Sequence, residues 1–147
     1  MMNKNCLLTD IEMVGFIVNG YHLLKLDLPK GLNEQIADQL DNLDYNPGDG
    51  ILDVVPELWQ VIEHPAVQGT LISLLGEDYD VMGHRHWHCK QPHTDHMSWH
   101  QDGTNIRDTR IDKLLGLYYP TEITPDMGPT IIVPGTQYRN APTDRMA

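Results

Sequence analysis

Six of the eight histidines of this chain lie between His84 and His100, and the run ends in the segment WHQDG, residues 99–103. On an extended backbone, residues i and i+2 point to the same side, so the His100 imidazole and the Asp102 carboxylate can reach one divalent metal ion. Such a pair supplies two ligands of a 2-His-1-carboxylate facial triad, which binds Fe(II) and leaves positions open for O₂. From these residues alone, a polar turn opening at Asp102 is favoured. With Trp99, Gly103 and the downstream segment of residues 127–137 taken together, we predict that His100 and Asp102 are metal ligands.

Two further segments follow the His-x-Asp pair. The first is the apolar run from Leu114 to Tyr119, and the second is MGPTIIVPGTQ, residues 127–137. In this order, the three segments resemble the phytanoyl-CoA dioxygenase family of Fe(II)- and 2-oxoglutarate-dependent oxygenases, over about Thr9 to Gln137. The resemblance implies Fe(II), 2-oxoglutarate and O₂ as cofactor and cosubstrates, and a small-molecule substrate. Because halogenating relatives replace the carboxylate with Gly or Ala, Asp102 favours hydroxylation or a related oxidation.

Three histidines alternate before the metal-binding segment, at His84, His86 and His88. Their spacing predicts that they share one side of an extended segment. A solvated strand face and an adventitious Zn or Ni site are both compatible with this pattern. In the resemblance, the corresponding strand lines the pocket, and its Lys-Pro-like end is similar to residues 90–92 here. The resemblance therefore places His84 and His86 beside the cosubstrate, whereas His93 and His96 are expected in a solvent-exposed loop.

Tyr118 lies in the apolar run. The resemblance matches Tyr118 to an aromatic residue that packs against 2-oxoglutarate, and the run itself suits a core aromatic equally well. Both interpretations stay open on the sequence.

The resemblance is incomplete toward its C-terminal end. In the family, the distal metal-binding His and the Arg that binds the far carboxylate of 2-oxoglutarate lie beyond the Pro-Gly-Thr turn, and no histidine follows Gln137 here. We therefore expect the N-terminal part of a longer enzyme, with weak iron binding by this chain alone. Two alternatives remain: a non-catalytic cupin-like binding module, and a His-rich Zn-binding domain that uses His84, His86, His88 and His100.

Composition predicts a single folded domain over residues 1–147, since 40% of the 147 residues are hydrophobic and 21% are charged. The net charge of −11 disfavours nucleic acid and anionic membranes as partners. Two distant cysteines give no disulfide framework, and the start of the chain lacks a signal-peptide pattern. We expect a cytoplasmic location, and the oligomeric state is not predicted.

Helices are predicted first along the chain and strands later. A capping box at Thr9 and Glu12 opens a helix that ends at Asn19-Gly20. Helical spacing of Leu32, Ile36, Leu40 and Leu43 predicts an amphipathic helix over about 31–44. Residues 46–50 are predicted to form a turn or mobile loop. Short helices are predicted to begin near Pro56 and Pro65, and the second of them to run to Leu75.

Strands are expected at Tyr21–Leu28, at Tyr79–Cys89 and from Trp99 onward. Gly128 and Gly135 are expected to take positive φ in the turns that flank a strand at 130–133. The fold class is therefore α+β: N-terminal helices packed on a double-stranded β-helix (a jelly-roll, cupin-like barrel), which is expected to be incomplete in this chain.

Overall fold

The computed structural model of the protein describes residues 6–88, 99–100 and 110–137. The helices of these residues, in chain order, are α1 (Asp10–Asn19), α2 (Leu32–Asp41), α3 (Ile51–Val54), α4 (Leu58–Ile62) and α5 (Pro65–Leu75). Short 3-10 turns occupy Gly48–Gly50 and Pro125–Met127. Within the described ranges, no helix is long and apolar enough to cross a bilayer.

Helix α1 begins and ends where its capping residues predict. The backbone N–H of Thr9 donates to Glu12 Oε2 at 2.8 Å, and the N–H of Glu12 donates to Thr9 Oγ1 at 3.4 Å, which is the predicted capping box. Gly20 ends the helix with φ 80° and donates its N–H to the carbonyl of Phe16. The large aliphatic side chains of α1 are exposed: Ile11, Val14, Ile17 and Val18. The two caps therefore stabilise α1 locally, without burial of these side chains.

The buried core is built around α2. This helix contributes one residue from each turn, as its apolar spacing predicted. Residues of α3 and α4, with Val55 between these two helices, complete the cluster. The core residues are Leu32, Ile36, Leu40, Ile51, Leu52, Val55 and Val61. Leu43 packs against this cluster from beyond the end of α2. Helix α3 was not predicted, because a four-residue helix is too short to display a periodic pattern.

Helix α4 begins two residues after Pro56, and α5 begins at Pro65, as predicted. His64 Nδ1 accepts a hydrogen bond from the N–H of Ala66 at the start of α5, and Gly76 follows its last residue. The segment before α1 packs on α5, where the N–H of Leu8 donates to Ser73 Oγ at 2.9 Å. The N-terminal segment is thereby joined to a helix more than sixty residues away in sequence.

The segments with predicted strands have no regular secondary structure in the structure, at residues 21–29, 79–88, 110–119 and 128–133. Four of their side chains pack against the core cluster: Leu26, Leu28, Trp87 and Tyr118. Gly128 and Gly135 have φ of 69° and 74°, which confirms their predicted turn conformations. The N–H of Gly135 donates to the carbonyl of Asn19 at 2.9 Å, so this turn lies at the end of α1. The jelly-roll barrel itself stays a prediction.

Candidate functional site

His84, His86 and His88 lie on one side of the segment 83–88. The ring centroids of His84 and His86 are 4.6 Å apart, those of His86 and His88 are 5.9 Å apart, and both ring pairs are T-shaped. All three side chains are exposed, whereas Arg85 and Trp87 between them are half-buried. This alternation is that of an extended chain. It confirms that the three imidazoles share a face, which we call the histidine face.

The same segment is anchored to the loop at 46–50 through its backbone and through the Arg85 side chain. Asn46 Nδ2 donates to the carbonyl of Trp87 at 2.8 Å. Asp49 Oδ1 accepts from the backbone N–H of Arg85 at 2.8 Å, and the Asp49 carbonyl accepts from the Arg85 guanidinium at 3.0 Å. The Trp87 side chain packs against the core. These contacts determine which side chains of the segment point outward.

Tyr118 is half-buried against the core, and its hydroxyl donates to Asn33 Oδ1 at 2.6 Å. Burial, and secondarily the charge of Glu34, raises the pKa of Tyr118, because both disfavour the phenolate. The contacts are those of a core aromatic with a bonded hydroxyl. Packing of this ring against 2-oxoglutarate stays a prediction.

The predicted metal ligands are only partly within the described ranges. His100 and the preceding Trp99 are exposed. Asp102 lies outside the described residues, as do residues 90–92, His93 and His96. Metal binding by His100 and Asp102 therefore stays a prediction.

No group of three His, Cys, Asp or Glu side chains in residues 6–88, 99–100 and 110–137 is arranged to hold a metal ion. The ring contacts along the histidine face thus do not amount to a three-ligand site. The Zn-binding alternative, which uses His84, His86, His88 and His100, finds no support in this arrangement, although all four residues are described.

Sequence reasoning missed the residues that hold the histidine face in place. The loop sequence Asn46-Pro47-Gly48-Asp49-Gly50 indicates a turn, but it carries no sign of which segment it contacts. Its partners are 41 and 36 residues further along the chain, at Trp87 and Arg85. Asn33, the partner of Tyr118, is 85 residues away from it in sequence.

Comparison with known families places most of the chain in one of them. The family model for phytanoyl-CoA dioxygenase (PhyH) matches residues 34–147. The match begins within α2 and includes every candidate site residue, from His84 to Tyr118. Neither the curated proteins nor the solved structures include a significant match to this chain.

Proposed function

The chain belongs to the phytanoyl-CoA dioxygenase family, and from this membership we propose that it acts as an Fe(II)- and 2-oxoglutarate-dependent dioxygenase on a small-molecule substrate. Enzymes of this family are generally dioxygenases. The observation that carries the proposal is the match over residues 34–147, which includes the segment from His84 to Asp102. Hydroxylation is the expected outcome, because the carboxylate of Asp102 is retained.

His100 and Asp102 are the residues that would hold the iron. A neutral imidazole and a carboxylate are a suitable donor pair for Fe(II), and His100 is exposed. The bound iron supplies the O₂ chemistry, while the protein binds and orients the reactants. In the family pattern, the other histidine ligand and the cosubstrate-binding Arg follow the Pro134-Gly135-Thr136 turn. Within residues 1–147, His100 and Asp102 are the two ligands that we propose.

His84 and His86 are proposed to lie beside 2-oxoglutarate. Support comes from their position within the family match and from their exposed, mutually contacting rings. An imidazole N–H can donate a hydrogen bond to a carboxylate of the cosubstrate. Tyr118 is proposed as an aromatic residue that packs against 2-oxoglutarate in the same site, with its hydroxyl bonded to Asn33.

The jelly-roll barrel and the cellular location remain part of the proposal. Leu115, Leu117 and Tyr119 alternate along the chain and are 65%, 44% and 45% exposed. A second β layer, as in a double-stranded β-helix, would cover side chains spaced in this way. A cytoplasmic location is proposed because the two distant cysteines give no disulfide framework.

Anaerobic titration of the chain with Fe(II) and 2-oxoglutarate tests this function. The expected result is Fe(II)-dependent binding of 2-oxoglutarate, measured by the metal-to-ligand charge-transfer absorbance of the Fe(II)–2-oxoglutarate complex. His100→Ala and Asp102→Ala should each weaken Fe(II) binding by about tenfold or more, since each removes a donor. His22→Ala is the control, because His22 precedes the matched region and should leave binding unchanged.

The outcomes separate the three classes of protein. Unchanged Fe(II) and 2-oxoglutarate binding in Asp102→Ala contradicts the assigned ligand. Zn binding that survives in Asp102→Ala, with no Fe(II)-dependent 2-oxoglutarate binding in the wild type, supports a His-rich Zn-binding domain. Binding of 2-oxoglutarate without O₂-dependent succinate formation supports a cupin-like binding module.

A further inference from the structure

We propose that Asn46 and Asp49 are positioning residues that orient the histidine face toward its ligand. The inference rests on the proposed function in one respect only, which is that the ligand of this face is 2-oxoglutarate. The orientation itself is argued from contacts within the described residues.

The two residues hold the segment 83–88 at two points along one backbone edge. Asp49 Oδ1 accepts from the N–H of Arg85, and Asn46 Nδ2 donates to the carbonyl of Trp87, both at 2.8 Å. In an extended chain, the N–H of residue i and the C=O of residue i+2 point to the same edge. Two bonds on one edge therefore determine both the register of this segment and its rotation about its own axis.

Register matters here because side chains alternate. A shift of one residue would turn every histidine of the segment toward the core and bring Arg85 and Trp87 outward. In the structure, Trp87 packs against the core and the three imidazoles are exposed. The hydrogen bonds to Asn46 and Asp49 thus act together with Trp87 burial to select the outward histidine face.

The anchoring loop is braced by its own hydrogen bonds. Asn46 Oδ1 accepts from the N–H of Gly48 at 3.0 Å, and the N–H of Gly50 donates to the carbonyl of Pro47 at 3.1 Å. Asn46 consequently uses its amide oxygen within the loop and its amide nitrogen for the histidine segment. This division of roles allows one substitution to separate them.

Asn46→Asp retains the oxygen that accepts from Gly48 and removes the nitrogen that donates to Trp87. Asp49→Ala removes the acceptor of the Arg85 N–H, and Asp49→Asn retains an acceptor oxygen at that position. Asn42→Asp is the matched control: the same amide-to-carboxylate change removes a bond from Asn42 Nδ2 to the Asp38 carbonyl on α2. It adds the same charge away from the histidine face.

Three measurements are made on each variant: the NMR shifts of the histidine ring protons, the affinity for 2-oxoglutarate with Fe(II), and thermal unfolding. In Asn46→Asp and Asp49→Ala, the shifts of His84, His86 and His88 should move toward those of isolated exposed histidines, because the ring contacts are lost. The affinity for 2-oxoglutarate should fall about threefold to tenfold, as for one lost hydrogen bond. Asp49→Asn and Asn42→Asp should retain wild-type values.

Unchanged histidine shifts in both Asn46→Asp and Asp49→Ala would overturn the positioning role, whatever happens to cosubstrate binding. Equal changes in Asn42→Asp would also overturn it, since they would reflect added charge. If the shifts change as expected and the wild-type chain binds no 2-oxoglutarate, the positioning role is supported and the proposed function fails.

Discussion

Replacement of Tyr118 by Phe removes one hydroxyl and keeps the ring that packs on the core. The change deletes the hydrogen bond to Asn33 Oδ1, which is 2.6 Å long. Asn33 is itself half-buried, so water can reach its oxygen in the variant. The loss should therefore be that of an ordinary hydrogen bond, about 1 kcal/mol in the free energy of unfolding. For a chain of this size, that corresponds to a fall of about 3 °C in Tm.

The destabilisation should depend on pH in a definite direction. Burial raises the pKa of Tyr118 above its ordinary value of 10.0, so the folded state favours the protonated phenol. The stabilisation is fully present below pH 10.0 and is lost as pH rises through the raised pKa. The difference in stability between wild type and Tyr118→Phe should therefore shrink above that pH.

Urea denaturation near neutral pH and again above the ordinary tyrosine pKa measures both effects. Tyr119→Phe is the matched control. Because the Tyr119 side chain is 45% exposed, loss of its hydroxyl should change the free energy of unfolding little. Affinity for 2-oxoglutarate should be unaffected in Tyr118→Phe, since the ring remains. The reasoning is refuted if Tyr118→Phe is as stable as Tyr119→Phe, or if the stability difference grows with pH.

Three further predictions concern the helices. Gly69→Ala should destabilise the protein by about 1–3 kcal/mol in urea denaturation, since a Cβ at this position would collide with the Cys6 carbonyl. Gly15→Ala should stabilise the protein by up to about 1 kcal/mol, because no atom lies within 4 Å of a Cβ there. Two changes of the same sign would contradict this. Ile36→Ala should lower the free energy of unfolding by about 2–5 kcal/mol in the same assay, because Ile36 is fully buried. Ile17→Ala should lower it far less, because Ile17 is exposed. Equal losses in the two variants would be inconsistent with this core. Hydrogen bonds from the Thr9 N–H and hydroxyl hold the pKa of Glu12 below 4.5. The backbone amides at the start of α1 should therefore be protected from hydrogen exchange above pH 4.5 and lose protection as the pH falls through the lowered pKa. Glu12→Gln should show no such pH-dependent loss.

Much of the helical part could be predicted from neighbouring residues. Thr9 and Glu12 lie within one turn of each other, and Pro65 and Gly76 mark the two ends of α5. Such signals are local, because capping groups and helix-breaking residues act on backbone groups a few positions away. The apolar spacing in α2 likewise predicted its buried face. Helix α3 escaped prediction, since four residues give no period.

The candidate site divides in the same way. Alternation alone predicted that His84, His86 and His88 share a side, because side-chain direction in an extended segment follows from backbone geometry. Alternation does not determine whether that side faces the core or the solvent. The answer depends on Trp87 burial and on the bonds to Asn46 and Asp49.

Local sequence by itself determined the caps of α1, the buried stripe of α2, the glycine turns at Gly128 and Gly135, and the motifs by which the family is recognised. Only the tertiary structure decided the outward direction of the histidine face and the pairing of Tyr118 with Asn33. The physical reason is distance along the chain. These contacts join groups 36 to 85 residues apart, and such pairings are selected by the packing of the whole helical core rather than by the preferences of either segment.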